Sequence, residues 1–330
     1  MKNFLNLPEQ RRKDIFNQVS TLSGLPANAI EKDWWVTLAL KAIFALPDSE
    51  HIVFKGGTSL SKGWNLIERF SEDIDLAIDP KFLGFEGDLT KKQVHKLREE
   101  SVKFIKNKFK NDLDNKLKEL GITGFELKVQ DNIQSDTDPV KLELHYNSVT
   151  ENSNYLSAQV LIEIGARSLM EPSEKRPIQT LVSEYIKGQS FSDEPVLLPV
   201  VMPKRTFLEK AFLLHEQFQK PDGKKQAERL SRHLYDLEKL MDTQHGKDAL
   251  KDKELYQHII KHREMFNKVS GIDYANHSSD KIDFIPPVEV QADWEKDYKS
   301  MQENMIYGES LEYKKLIERL NILKSRFRII

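Results

Sequence analysis

Hydropathy patterning changes character at Pro203. Upstream, Phe125 to Val129, Val140 to Tyr146 and Ala158 to Ile164 alternate apolar and polar residues, the period of two expected of half-buried strands. His51 to Phe54, Ile74 to Ile78 and Pro195 to Met202 read as further extended runs. Helical spacing lies between them, over Glu31 to Leu46 (closed by Pro47), Leu60 to Phe70, and a strongly charged stretch from Thr90 to Leu120. Downstream, Thr206 to Gln219, Gln226 to Met241, Asp252 to Phe266 and Leu311 to Phe327 all have helical spacing, and only Ile282 to Val288 carries a strand-like pattern. The expected architecture is an α/β domain over residues 1–203 followed by a mostly helical domain over 204–330. A length of 330 residues accommodates two such domains.

Composition narrows the function classes. With 50 Lys+Arg against 52 Asp+Glu the net charge is -2, which excludes a uniformly basic nucleic-acid binder but leaves room for a local basic face. There is no cysteine, so a disulfide scaffold, a thiolate metal site and a cysteine nucleophile are excluded. The most apolar stretch, Trp34 to Leu46, is interrupted by Lys41 and is too short to span a bilayer. The N-terminus lacks the apolar core of a signal peptide, so a cytoplasmic protein with no membrane partner is expected.

Two short segments carry the chemistry. In the first, an extended run reaches Gly56 and Gly57, and Thr58 and Ser59 then open a helix. Glycines let a backbone approach a phosphate closely, a helix N-terminus offers free N–H groups, and hydroxyls add donors. Taken alone, this fragment is better explained as an ordinary strand-turn-helix with a hydroxyl cap, since short glycine motifs recur by chance. The second segment, Ser71-Glu72-Asp73-Ile74-Asp75-Leu76, changes that balance. In a strand, Asp73 and Asp75 share one face while Ile74, Leu76 and Ile78 take the other. Adjacent carboxylates repel unless a cation lies between them, and Mg²⁺ prefers hard oxygen ligands while keeping room for phosphate oxygens. A third carboxylate is expected on a neighbouring strand. Glu163, a lone acid in the apolar run Val160 to Ile164, is the first choice and Glu143 its rival.

Gly-Gly-Thr-Ser-Leu followed by Ser-Glu-Asp-Ile-Asp-Leu resembles motif I of the DNA polymerase β-type nucleotidyltransferase superfamily, and within it the AbiEii/AbiGii toxin family. Three further stretches are similar to that family: Glu31-Lys32-Asp33-Trp34-Trp35-Val36-Thr37, Thr206 to Leu214 around Lys210, and Arg232-His233-Leu234-Tyr235-Asp236-Leu237. The resemblance covers about residues 31 to 240. It implies a nucleotidyltransferase fold with a mixed β-sheet flanked by helices. It also implies a toxin of a bacterial toxin–antitoxin system, active on a nucleoside triphosphate with Mg²⁺ (Mn²⁺ as the alternative ion), and a cognate antitoxin as partner. Asp73, Asp75 and Glu163 would then hold metal. Gly56, Gly57, Thr58, Ser59 and Arg232 would bind nucleotide. Lys210 would hold the triphosphate and Asp236 would join it in the active-site cleft. The implied acceptor is tRNA, with its 3′ end blocked. A protein or small-molecule hydroxyl is the alternative acceptor, and a catalytically silent RNA- or antitoxin-binding module the alternative class.

Without the resemblance, Lys210 reads as a snorkelling surface lysine at the edge of an apolar stripe. Arg232 and Asp236 read as an i,i+4 pair on one helix face, and His233 as a packing or capping residue. The last helix carries Lys314, Lys315, Arg319, Lys324, Arg326 and Arg328 against Glu312 and Glu318. Its apolar side (Leu316, Ile317, Leu320, Leu323) is expected to dock, leaving either a solvated face or an RNA grip.

Overall fold

The computed structural model describes residues 1–131, 133–151, 156–168, 170–221, 225–266 and 269–328. The chain forms two compact units, Met1–Trp64 with Phe70–Val201, and Asn65–Arg69 with Met202–Ile330. The detour of residues 65–69 into the helical unit has no signal in the hydropathy pattern.

In the first unit, helices α1 (Lys2–Leu5), α2 (Glu9–Ser23) and α3 (Ala27–Ile43) precede strand β1 (Ile52–Lys55), α4 (Gly56–Lys62) and β2 (Ile74–Ile78). Then come α5 (Lys91–Phe104) and α6 (Lys110–Glu119), joined by a π turn at Ile105–Phe109. The unit ends with β3 (Phe125–Val129), β4 (Val140–Tyr146), β5 (Gln159–Gly165), β6 (Ser173–Ile178), α7 (Leu181–Tyr185) and β7 (Val196–Val201). Among the described residues seven strands make one mixed sheet in the order β3-β4-β5-β2-β1-β7-β6. The expected mixed sheet with flanking helices is what forms. Pairings β2–β5 and β1–β7 are parallel, and the others are antiparallel.

Local chemistry explains the elements. β4 alternates perfectly, with Val140, Leu142, Leu144 and Tyr146 buried, so one face packs and the other meets solvent. α3 is buried on all sides, as a helix inside a core must be. Thr90 and Gln93 form a capping box that starts α5.

Several boundaries differ from the sequence reading. The helix placed at Leu60 to Phe70 begins instead at Gly56 and ends at Lys62. β6 falls in a polar stretch with no alternation of its own, and Ile282 to Val288 forms no strand.

The second unit contains α8 (Pro203–Gln219), α9 (Ser231–Leu240), α10 (Gln244–Ala249), α11 (Lys253–Phe266), α12 (Gln291–Asn304) and α13 (Tyr313–Phe327). Its core joins Phe207, Tyr256, Phe284 and Phe327, with Phe207 and Phe327 stacked at 5.9 Å. Leu316, Leu320 and Leu323 are buried as the stripe of α13 requires, with Ile317 half-buried beside them. Among the described residues no helix is long and apolar enough to cross a membrane.

Candidate active site

The sheet unit brings the acidic residues together through strand register. Ile74, Leu76 and Ile78 are buried while Asp73 and Asp75 are half-buried, so period-two alternation puts both carboxylates on the solvent side of β2. Asp75 pairs with Glu163 across the parallel β2–β5 ladder and with Lys55 across the antiparallel β1–β2 ladder. Glu163 in turn pairs with Lys141 of β4. In-register partners share a sheet face, so Lys55, Asp75, Glu163 and Lys141 form one charged row over four neighbouring strands. Glu163 Oε1 accepts from Lys141 Nζ at 2.9 Å. Glu143 stands opposite Leu161 instead, and its carboxylate meets His145 at 3.0 Å. Of the two candidate third acids, Glu163 is the one beside Asp75.

The glycine turn abuts this row. Gly56 has φ +82°, and a Cβ there would lie 1.9 Å from Asp75 Oδ2. Only glycine allows both that backbone and that approach. The Thr58 hydroxyl donates to the Asp73 carbonyl at 2.5 Å and lies 2.8 Å from the Ser71 hydroxyl. Ser59 Oγ donates to the Gly56 carbonyl at 2.9 Å. The sequence reading gives both hydroxyls to a phosphate or a helix cap; in the structure each donates to a backbone carbonyl. Both side chains are fully buried and bind the turn to the acidic strand. α4 has no side-chain cap, and Lys55 holds its N-cap position.

Among the described residues no three carboxylate or imidazole side chains are gathered closely enough to hold a metal ion as a set; Glu163 is turned to Lys141. The donor chemistry of Asp73, Asp75 and Glu163 is nevertheless all oxygen, which fits Mg²⁺ or Mn²⁺ and not a soft ion.

The helical unit holds a second polar cluster. Asp236 is fully buried. It accepts from Arg69 Nε at 2.7 Å and Nη2 at 2.8 Å, a bidentate pair, and from Lys210 Nζ at 2.8 Å. The expected Arg232–Asp236 pair is therefore replaced by Arg69 and Lys210. Lys210 is also no snorkelling lysine, because its side chain is buried and its ammonium faces Asp236 and His233. Burial pushes the Asp236 carboxyl up, but Arg69 and Lys210 outweigh it and hold it below the ordinary aspartate value. Burial lowers the Lys210 ammonium against the pull of Asp236. Burial, then the Lys210 and Arg232 cations, keep His233 well below its usual value. The imidazole is thus neutral, and its Nδ1 accepts from Lys210 at 3.3 Å.

A family profile for the nucleotidyl transferase AbiEii toxin of type IV toxin–antitoxin systems matches residues 38–320. The chain belongs to the AbiEii toxin family. No curated protein sequence matches it. Among solved structures it is similar to JHP933 from Helicobacter pylori, at 15% identity over 92% of this chain and 94% of that one, with a TM-score of 0.42. It is also similar to MenT4, a nucleotidyltransferase toxin from Mycobacterium tuberculosis, at 16% identity over 95% and 98%, with a TM-score of 0.40.

Membership in the AbiEii family makes the chain a nucleotidyltransferase, with a nucleoside triphosphate as substrate and an antitoxin as partner. Two members of the Asp236 cluster carry no functional signal in the sequence: Arg69 is a single charge two residues before Ser71, and His233 reads as a packing or capping residue. Three of the six basic residues expected on the outer side of the last helix are paired within the unit. Arg319 pairs with Glu238 at 3.1 Å and with Asp242, Lys324 with Asp283, and Arg326 with Asp242 at 2.8 Å and the Met241 carbonyl at 3.2 Å.

Proposed function

We propose that this AbiEii-family chain transfers a nucleotidyl group from a nucleoside triphosphate to the 3′ hydroxyl of tRNA, the new bond to the α-phosphorus replacing its bond to the β-phosphate so that pyrophosphate leaves, with Mg²⁺ held by Asp73, Asp75 and Glu163. The observation that carries the reading is the β2–β5 register, which sets Glu163 beside Asp75. Divalent metal bound there would stabilise charge on the triphosphate and favour ionisation of the acceptor hydroxyl. Asp73 and Asp75 supply the hard oxygens. Glu163, on leaving Lys141, takes the acceptor proton. The Gly56–Gly57 turn lets phosphate oxygens approach the backbone. In the helical unit, Lys210 and Arg69 with the nearby Arg232 carry three positive charges against the one carboxylate of Asp236, an excess that suits a triphosphate. Asp236 orients the two buried cations, and neutral His233 orients the ammonium. The acceptor is drawn from the resemblance of these motifs to tRNA-modifying toxins.

The purified chain is incubated with each labelled triphosphate, Mg²⁺, and either total tRNA or total protein. Label should pass to tRNA from a preferred triphosphate, and tRNA whose 3′ diol has been cleaved by periodate should accept none. Label found only on protein, or equal labelling of periodate-treated tRNA, would remove the 3′ end as acceptor. Transfer that survives EDTA would remove the metal assignment.

A further inference from the structure

Helix α3 carries three consecutive charged residues in the protein interior. Glu31, Lys32 and Asp33 are 1%, 3% and 5% exposed. Isolated buried charges are strongly disfavoured, and well-packed apolar residues often replace buried ion pairs with no loss of stability. Stability alone is thus a weak reason for three in a row. Their partners supply a better one. Successive helical side chains point about 100° apart, so each of the three reaches a different segment of the sheet unit.

Lys32 Nζ binds Glu72 and also donates to the Ser157 carbonyl at 3.3 Å. Glu72 immediately precedes Asp73, and Ser157 lies two residues before β5. One ammonium therefore holds the leading ends of β2 and β5, the parallel pair that carries Asp75 and Glu163. Asp33 pairs with Lys62, the last residue of α4, and accepts from the Leu181 backbone N–H at 2.8 Å. It thereby holds the far end of the helix that begins at Gly56. Glu31 accepts from the Val149 N–H at 2.9 Å, the Thr150 N–H at 3.1 Å and the Ser148 hydroxyl at 2.7 Å. It fixes the segment that leaves β4, the strand of Lys141. A one-residue slip of a strand sends its side chains to the opposite face, so the leading ends of β2 and β5 control whether Asp75 and Glu163 meet.

We propose that Glu31-Lys32-Asp33 is a positioning device for the transfer site: Lys32 sets the β2–β5 register, Asp33 seats the glycine-turn helix and Glu31 anchors the exit of β4. The proposal rests on the assignment of Asp73, Asp75 and Glu163 made above. None of the three is a catalytic residue; each acts through the backbone it holds.

The test uses the full chain with Lys32→Met and Asp33→Asn, Lys32→Arg as the conservative variant, and Glu72→Gln in case Lys32→Met does not fold. Leu40→Ala, a fully buried position on the same helix, lowers stability through packing alone. Lys32→Met and Asp33→Asn should lower kcat by about 100-fold, the scale expected when reacting groups are misplaced by about 1 Å, with KM for the triphosphate changed by less than about threefold. Lys32→Arg should recover most of the loss. In metal-free, nucleotide-free protein, amide exchange should accelerate at residues 56–62, 72–78 and 159–165 but not across α2. Leu40→Ala should show neither effect at matched thermal stability. The proposal is overturned if Lys32→Met, or Glu72→Gln in its place, keeps normal kcat and exchange. It is equally overturned if exchange rises uniformly, or if Leu40→Ala lowers kcat as much. A wild-type chain that transfers nothing would count against the active-site assignment, while the exchange comparison would still decide the positioning claim.

Discussion

At the scale of single residues, the acidic strand and the buried aspartate should respond in opposite ways. Asp73→Ala or Asp75→Ala should reduce transfer by at least about 100-fold, comparable to removing one charge-stabilising group from an active site. The thermal midpoint should be unchanged or raised, because like-charge repulsion is relieved. Near-normal transfer by either variant would remove it from the metal site. Asp236→Asn should instead cost about 3–5 kcal/mol by leaving Arg69 and Lys210 buried without their carboxylate, measured by denaturant unfolding. The pH dependence follows from the direction of its shift. A carboxyl held below its unfolded value adds stability above about pH 3.9, and that stability fades as the pH falls toward the lower folded value. Wild-type protein should show this acid limb and Asp236→Asn should lack its share. Gly56→Ala should cost about 1–3 kcal/mol in backbone strain alone, with the Asp75 carboxylate displaced as well, since the new methyl would overlap it.

At the scale of elements, α13 shows how a charge pattern can find partners that are distant in sequence. Of the six basic residues in it and just beyond its end, Arg319, Lys324 and Arg326 are paired to Glu238, Asp242 and Asp283. Exposed pairs contribute about 0.2–1 kcal/mol each. Lys324→Glu with Arg326→Glu should therefore lower the thermal midpoint by a few degrees, since about 1 kcal/mol corresponds to roughly 2–8 °C for domains of these sizes. An unchanged midpoint in calorimetry would show that these pairs contribute nothing in solution. β6 escaped detection for a related reason. Its residues Ser173-Glu174-Lys175-Arg176-Pro177-Ile178 form an edge strand with one residue buried, and a proline is tolerated there because an edge needs fewer ladder bonds. The start of α4 was missed because the positive φ of Gly56 turns the chain straight from strand into helix.

At the scale of the whole molecule, ligand binding and folding are linked. A triphosphate bound with its metal at 100 times its dissociation constant should raise stability by about 2.7 kcal/mol. Scanning calorimetry should show this rise for wild type with Mg²⁺ and triphosphate together. Asp75→Ala should lose most of it. Equal stabilisation of both proteins would mean that the triphosphate binds without the acidic strand. With a net charge of -2, random RNA in tenfold excess should compete poorly for any tRNA site, because little general phosphate affinity is available; efficient competition in a filter-binding assay would contradict this.

What the sequence determined by itself was local. Alternation placed β3, β4 and β5, the period of two put Asp73 and Asp75 on one face, and the change at Pro203 marked where strands give way to helices. These features depend on neighbours within a few residues, and that is the range over which hydropathy and propensity act. The tertiary structure decided which strands adjoin, and so that Glu163 rather than Glu143 stands beside Asp75. It also decided that Asp236 takes Arg69 and Lys210, and that Glu31-Lys32-Asp33 reaches Ser148, Glu72 and Lys62. Those partners lie 26 to 167 residues away in sequence, and a buried charge reveals its partner only once packing has excluded water from both.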